Sequence, residues 1–273
     1  MTTRTFRFGA AVAFTPDGSS WLAIAQRIER LGYATMLMPD GLWVPAPFVG
    51  LSAAAAATST LRLGTHVLAA PLHAPAAVAH ETATLDLLSD HRFELGLGAG
   101  RPQAAGEAER LGRKFGGAAE RVGQVAETIT AVRRQFATSG RPAPRILLAG
   151  IAPPLVELAA AEADTLALPL PHHVNEDALA AKVAELRALV GSRLDELELA
   201  ANVLVVGDGD VPEAMRALVR DLPADSFSRL RGTPREIADT LLRRREQLGI
   251  SYVTIAQHSI EDFAPVVELL AGT

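Results

Sequence analysis

The 273 residues contain no cysteine. That excludes disulfides, a thiol nucleophile and thiolate-ligated zinc or iron–sulfur centres. Any redox chemistry must then come from a bound cofactor. Lysine is nearly missing as well, with Lys114 and Lys182 the only two. The 26 basic residues stand against 31 acidic ones, a net charge of -5, which offers no electrostatic footprint for nucleic acid. Long apolar runs are also wanting. Leu51–Ala57 is short and dominated by alanine, far below the roughly 20 residues that span a bilayer. Met1–Phe8 carries no signal-peptide pattern. A cytoplasmic protein with no membrane partner is the expectation.

What the chain does have is apolar content: 49% hydrophobic against 21% charged, enough for a sizeable core. No linker, charge block or low-complexity tract divides it, so 1–273 reads as a single domain. Short β-type runs fall at Phe6–Phe14, Thr35–Met38, Leu61–Leu68, Arg92–Leu97, Arg145–Ala149, Thr165–Leu168, Leu199–Val206 and Tyr252–Ala256. Helical patterns separate them at Ser19–Leu31, Pro75–Leu88, Ala118–Phe136, Pro153–Ala163, Glu176–Val190, Val211–Asp221 and Pro234–Leu248, with a weaker one at Ser52–Thr58. Asp17–Ser20 offers N-cap side chains, and Gly32 a C-terminal glycine. Thr233, Pro234 and Glu236 spell a capping box that Gly249 closes. Eight strands alternating with helices fit either an open doubly wound sheet or a closed (β/α)8 barrel. The even spacing of strands to the C-terminus favours the barrel.

In parallel α/β folds chemistry sits beyond the C-terminal strand ends. Pro39-Asp40-Gly41-Leu42-Trp43 follows the second strand, and Leu68-Ala69-Ala70-Pro71-Leu72-His73 the third. Gly96-Leu97-Gly98-Ala99-Gly100-Arg101 follows the fourth, Ala149-Gly150-Ile151-Ala152-Pro153 the fifth, and Pro169-Leu170-Pro171-His172-His173 the sixth. The glycine run is G-x-G-x-G on the fourth strand, which argues against a dinucleotide fingerprint. It either brings backbone close to a ligand or makes tight rim turns. Ala149-Gly150, opening into a helix at Pro153, reads as an anion site or as an ordinary turn.

Several segments together resemble the bacterial luciferase-like superfamily, in its branch of deazaflavin (coenzyme F420)-dependent oxidoreductases. They are Ile28-Glu29-Arg30-Leu31-Gly32-Tyr33, Pro39-Asp40, Leu61-Arg62-Leu63-Gly64-Thr65, Ala83-Thr84-Leu85-Asp86-Leu87-Leu88-Ser89, Phe93–Gly100, and Gly232-Thr233-Pro234 with Gly249-Ile250. Each is weak alone; in register they span nearly the whole chain. The resemblance implies the (β/α)8 TIM barrel and a hydride transfer between F420 and a small organic substrate. It implies a ring stacked on the end of the third strand, with a non-prolyl cis peptide within Leu68-Ala69-Ala70. Further cofactor contacts would come from Asp40, from Gly98, Ala99 and Gly100, and from a phosphate loop at Ala149, Gly150 and Ile151. Two departures stand out. Many relatives read Pro-Asp-His where this chain has Gly41, and the phosphate loop has fewer glycines.

Without that histidine, His73 beside the proposed ring is the candidate proton donor, since imidazole titrates near neutrality. Trp43, Arg101 and His172 are candidates for substrate contact. Arg101 suits an anion, or alternatively a rim ion pair with Glu107, and Asp40 has the alternative role of a loop cap. The seven histidines show no metal-ligand spacing, so no metal is expected. Two other functions stay open. One is an FMN-dependent monooxygenase of the same superfamily, fed by a separate reductase and using O2. The other is a barrel that binds a flavin or other ligand without catalysis. The resemblance, with the small residues of Ser52–Thr58, also implies a homodimer.

Overall fold

The computed structural model describes residues 4–207, 216, 219 and 222–273. Eight parallel strands form a ring: β1 (Arg7–Ala11), β2 (Thr35–Met38), β3 (Arg62–Thr65), β4 (Phe93–Gly98), β5 (Arg145–Ala149), β6 (Thr165–Ala167), β7 (Glu198–Val203) and β8 (Ile250–Ala256). Each pairs with the next, and β8 pairs with β1 in the register Arg7↔Tyr252 to Ala11↔Ala256, so no edge remains. The closed (β/α)8 barrel is therefore the architecture, and the open sheet is excluded.

Helices cover the outside: α1 (Gly18–Arg30), α2 (Pro47–Ala57), α3 (Pro75–Leu88), α4 (Ala104–Arg110), α5 (Ala118–Thr138), α6 (Pro153–Glu162), α7 (Glu176–Val190), α8 (Pro234–Leu248) and α9 (Ile260–Leu270). The capping box at Thr233 and Glu236 is present, and Gly249 ends α8 at φ +78°. Asp17 caps α1 through Ser20 N–H at 2.7 Å. Some boundaries differ from expectation. The Leu61–Leu68 run breaks into β3 and a two-residue strand, Leu68–Ala69. The weak helix at Ser52–Thr58 begins five residues earlier, because Pro47 supplies a preset φ at its first turn. Helices α4 and α9 carry Gly106 and Pro265, which mask their periodicity. The expected helix Val211–Asp221 lies almost wholly outside the described residues.

The barrel interior is filled in layers. At its N-terminal end Arg7 bridges Glu94 at 2.6 Å and Glu198 at 2.9 Å. Arg62 also bonds Glu94, Arg145 bonds Glu198 at 3.2 Å, and Thr165 donates to Glu198 at 2.8 Å. Burial alone would raise the Glu94 carboxyl; Arg7 and Arg62 outweigh it and hold Glu94 below the usual carboxylate range. Above this charged floor Leu37, Leu147 and Tyr252 pack with Ala167 and Ala200. Glycines make room for the large members. A Cβ on Gly9 would lie 2.7 Å from Leu37 and 2.8 Å from Tyr252, and one on Gly64 would lie 2.8 Å from Leu37. Ala11, Val67 and Ala149 rest on this layer and stay half-buried. The barrel thus ends, at its C-terminal mouth, in a shallow floor of small apolar side chains.

Candidate functional site

Asp40, just past β2, organises one side of the mouth. Its side chain is 6% exposed, and Oδ2 accepts the Ala69 N–H at 2.9 Å. The same oxygen lies 2.8 Å from His73 Nε2. A carboxylate can only accept, so Nε2 carries the proton and Nδ1 is the ring position left over. Arg113 Nη2 fixes the His73 carbonyl at 2.7 Å. The sequence pointed to Asp40 as a cofactor contact with a loop cap as its alternative. The geometry gives it the capping work, and couples it to the candidate proton donor.

The cis peptide bond lies at His66–Val67, two residues before the stretch in which it was expected. Leu68 and Ala70 turn their side chains into the main core and are buried, whereas Ala69 is half-buried. Val67, which no sequence signal marked, occupies the mouth floor instead. Its methyl groups lie against β4: a Cβ on Gly98 would stand 2.9 Å from Val67, and one on Gly96 would collide with the Thr65 carbonyl. The G-x-G spacing is therefore required by packing. Gly100 adopts φ +74° beside Phe115, and the Ala99 carbonyl accepts from Arg121 Nε at 2.9 Å.

At the β5 exit Gly150 N–H is already bonded to the Ala167 carbonyl at 3.1 Å. Pro153 and Pro154 open α6 without N–H groups. The Ile151 and Ala152 amides find no acceptor among the described residues. This turn can grip an anion through two amides, fewer than an ordinary helix N-terminus provides.

The β2 loop explains its missing histidine. Gly41 has φ +146°, and a Cβ there would collide with the Trp43 indole. Trp43 is 50% exposed and its ring stands 5.7 Å from that of Phe14, at the β1 exit. Glu107 Oε2 accepts the Leu42 N–H at 2.5 Å. Arg101 is exposed, and no carboxylate among the described residues pairs with it. His172 lies across the rim after β6, with Nδ1 3.1 Å from Ser228 Oγ.

Two further imidazoles are no part of the site expected from the sequence. His66 Nε2 and His258 Nε2, at the β3 and β8 exits, are buried with no hydrogen-bond partner among the described residues. Burial pushes the His66 pKa down to about 4 and lowers that of His258. A small-residue floor rimmed by unsatisfied polar atoms is what a site for a flat, polar-edged ring requires. In a separate cleft at the opposite face, lined by Arg4, Arg187 and Arg245, Arg187 pairs with Asp195 at 2.7 Å and Arg245 donates to the Thr273 carbonyl at 2.7 Å.

A family model described as luciferase-like monooxygenase matches residues 3–240. The chain belongs to this family. Among curated proteins it is 35% identical over 92 residues to a 4-hydroxyprotoasukamycin monooxygenase of Streptomyces nodosus subsp. asukaensis. That match covers 31% of this chain and 25% of the relative. Among solved structures, the coenzyme F420-dependent tetrahydromethanopterin reductase of Methanopyrus kandleri superposes with TM-score 0.75 at 15% identity, over 98% of this chain and 99% of that one. A riboflavin lyase solved with modified FMN and riboflavin gives TM-score 0.77 at 14% identity, over 98% and 93%. These neighbours share the fold of this luciferase-like chain. One of these neighbours is described as coenzyme F420-dependent and the other was solved with modified FMN.

Proposed function

We propose that the protein is an F420-dependent oxidoreductase acting on a small organic substrate. The observation that carries this reading is the β5–α6 turn. With two prolines at the start of α6 and the Gly150 amide already used, Ile151 and Ala152 are the amides of this turn left without an acceptor among the described residues. Two donors suit the singly charged phosphodiester of F420 better than the doubly charged phosphate monoester of FMN. Ala11, Val67, Gly98 and Ala149 would carry the ring, with Ala69, Ala99 and Gly100 at its edge. Arg101 would meet the carboxylates of its tail. When bound, the deazaflavin supplies a two-electron hydride donor or acceptor at carbon.

The chain itself does the rest. Asp40 holds His73 with Nε2–H directed at its carboxylate, so Nδ1 is the atom that exchanges a proton with the substrate. The nearby carboxylate stabilises the imidazolium while that proton is held. Arg113 keeps the loop from moving. Phe14 and Trp43 form an apolar lip that limits water at the mouth.

An anaerobic assay with the reduced coenzyme and a panel of ketones, enones and imines tests the proposal. Turnover is expected in the native protein. His73→Gln should keep coenzyme affinity and lose about 10²–10⁴-fold in kcat; loss of binding with unchanged kcat would contradict the assigned role. The curated monooxygenase relative favours a second reading, an FMN-dependent monooxygenase. Substrate-dependent O2 uptake with reduced FMN would select it.

A further inference from the structure

The strap Ser226-Phe227-Ser228 clamps His172 from two sides. Ser226 Oγ bonds the His172 carbonyl and accepts the Ser228 N–H at 3.0 Å. Phe227 N–H donates to the Val174 carbonyl at 3.0 Å. The Ser228 carbonyl accepts from Leu204 at 2.8 Å and Val205 at 3.1 Å, which ties the strap to the chain leaving β7. His172 is thereby fixed on the rim between the β6 and β7 exits.

The remaining bond decides the chemistry. Ser228 is fully buried, and His172 Nδ1 at 3.1 Å is the one partner of its hydroxyl among the described residues. Were Nδ1 protonated, the hydroxyl would accept, and its own proton would be buried without an acceptor. If the hydroxyl donates instead, both it and Nδ1 are satisfied. Nδ1 is then the acceptor and Nε2 carries the ring proton. Burial, with His173 alongside, also lowers the His172 pKa, in keeping with a neutral ring.

We propose that Ser228 is a positioning residue that locks His172 as a neutral Nε2–H donor on the rim, so that this side of the mouth recognises an oxygen acceptor on the substrate, a carbonyl oxygen above all. The choice of substrate class rests on the oxidoreductase reading; the lock on the ring does not.

Two-bond ¹H–¹⁵N spectra of histidine-labelled protein, free of cofactor at neutral pH, test the lock, with His172→Gln to assign the resonances. The native ring should show the Nε2–H form alone. Ser228→Ala should give a mixture of the two neutral forms, and Ser228→Thr should restore the single form. A protonated ring, an Nδ1–H form, or a spectrum unmoved by Ser228→Ala would overturn it. If Ser228→Ala fails to fold, Ser228→Gly takes its place, with the same outcomes. Cyclohexanone then serves as a carbonyl probe and methylcyclohexane as its oxygen-free counterpart. A saturable downfield shift of Nε2–H with the ketone only is expected. Equal shifts, or none, would overturn the recognition role. Because no F420 is present, a failure of F420 binding sinks the proposed function without touching the lock, and the converse also holds.

Discussion

Asp40 serves two donors with one oxygen, Ala69 N–H and His73 Nε2, while only 6% exposed. Removing it leaves the half-buried Ala69 amide unpaired, so Asp40→Ala should lower unfolding stability by about 1 kcal/mol in urea titrations. Glycines separate by what surrounds them. Gly96→Ala sets a Cβ against the Thr65 carbonyl and should cost about 1–3 kcal/mol. Gly123 sits in α5, exposed, with nothing within 4 Å of where a methyl group would stand, and Gly123→Ala should stabilise by about 0.5–1 kcal/mol. His66 adds a pH term. Its folded pKa of about 4 lies below the ordinary histidine value. Protonation therefore favours the unfolded chain. Stability should be full above about pH 6.5 and fall as the pH drops towards 4, and His66→Phe should flatten that slope. The sequence singled out Asp40, Trp43 and His73 as candidates because polar and aromatic residues at strand ends stand out. Val67 and Ser228 stayed hidden, since a valine in a β run and a serine in a loop look like hundreds of others. Their roles come from residues distant in sequence, Gly98 and His172.

At the level of elements, the strands were legible from short apolar runs, and α3, α7 and α8 from their spacing and caps. The cost of closing the ring was not. It falls on inward positions two apart, where Gly9, Gly64 and Gly96 yield space to Leu37, Tyr252 and the Thr65 carbonyl. No local pattern names the partner across the barrel. The charged floor follows the same rule: Arg7 meets Glu94 and Glu198, 87 and 191 residues away. Arg7→Met would leave Glu94 to Arg62 alone and Glu198 to Arg145 and Thr165, and should cost about 1–3 kcal/mol. Because Glu94 is held below its ordinary range when folded, the native floor contributes stability above about pH 4–5 that is lost as the pH falls further. Glu94→Gln should remove much of that acid dependence in pH-resolved denaturation curves.

For the whole molecule, the C-terminal end of the barrel has a floor of small apolar side chains and a rim that carries Asp40–His73 on one side and His172–Ser228 on another. Among the described residues no helix is long and apolar enough to cross a membrane. The proposed flat cofactor would rest on this floor, and the sparse amides of the β5–α6 turn are the reason for proposing the deazaflavin. Parallel absorption-monitored titrations of the protein with F420 and with FMN test this most directly. The account predicts saturable perturbation of the F420 visible band, clearly weaker binding of FMN, and loss of both when Ala149→Phe fills the floor. Tight FMN binding with no response to F420, or F420 binding undisturbed by Ala149→Phe, would contradict it.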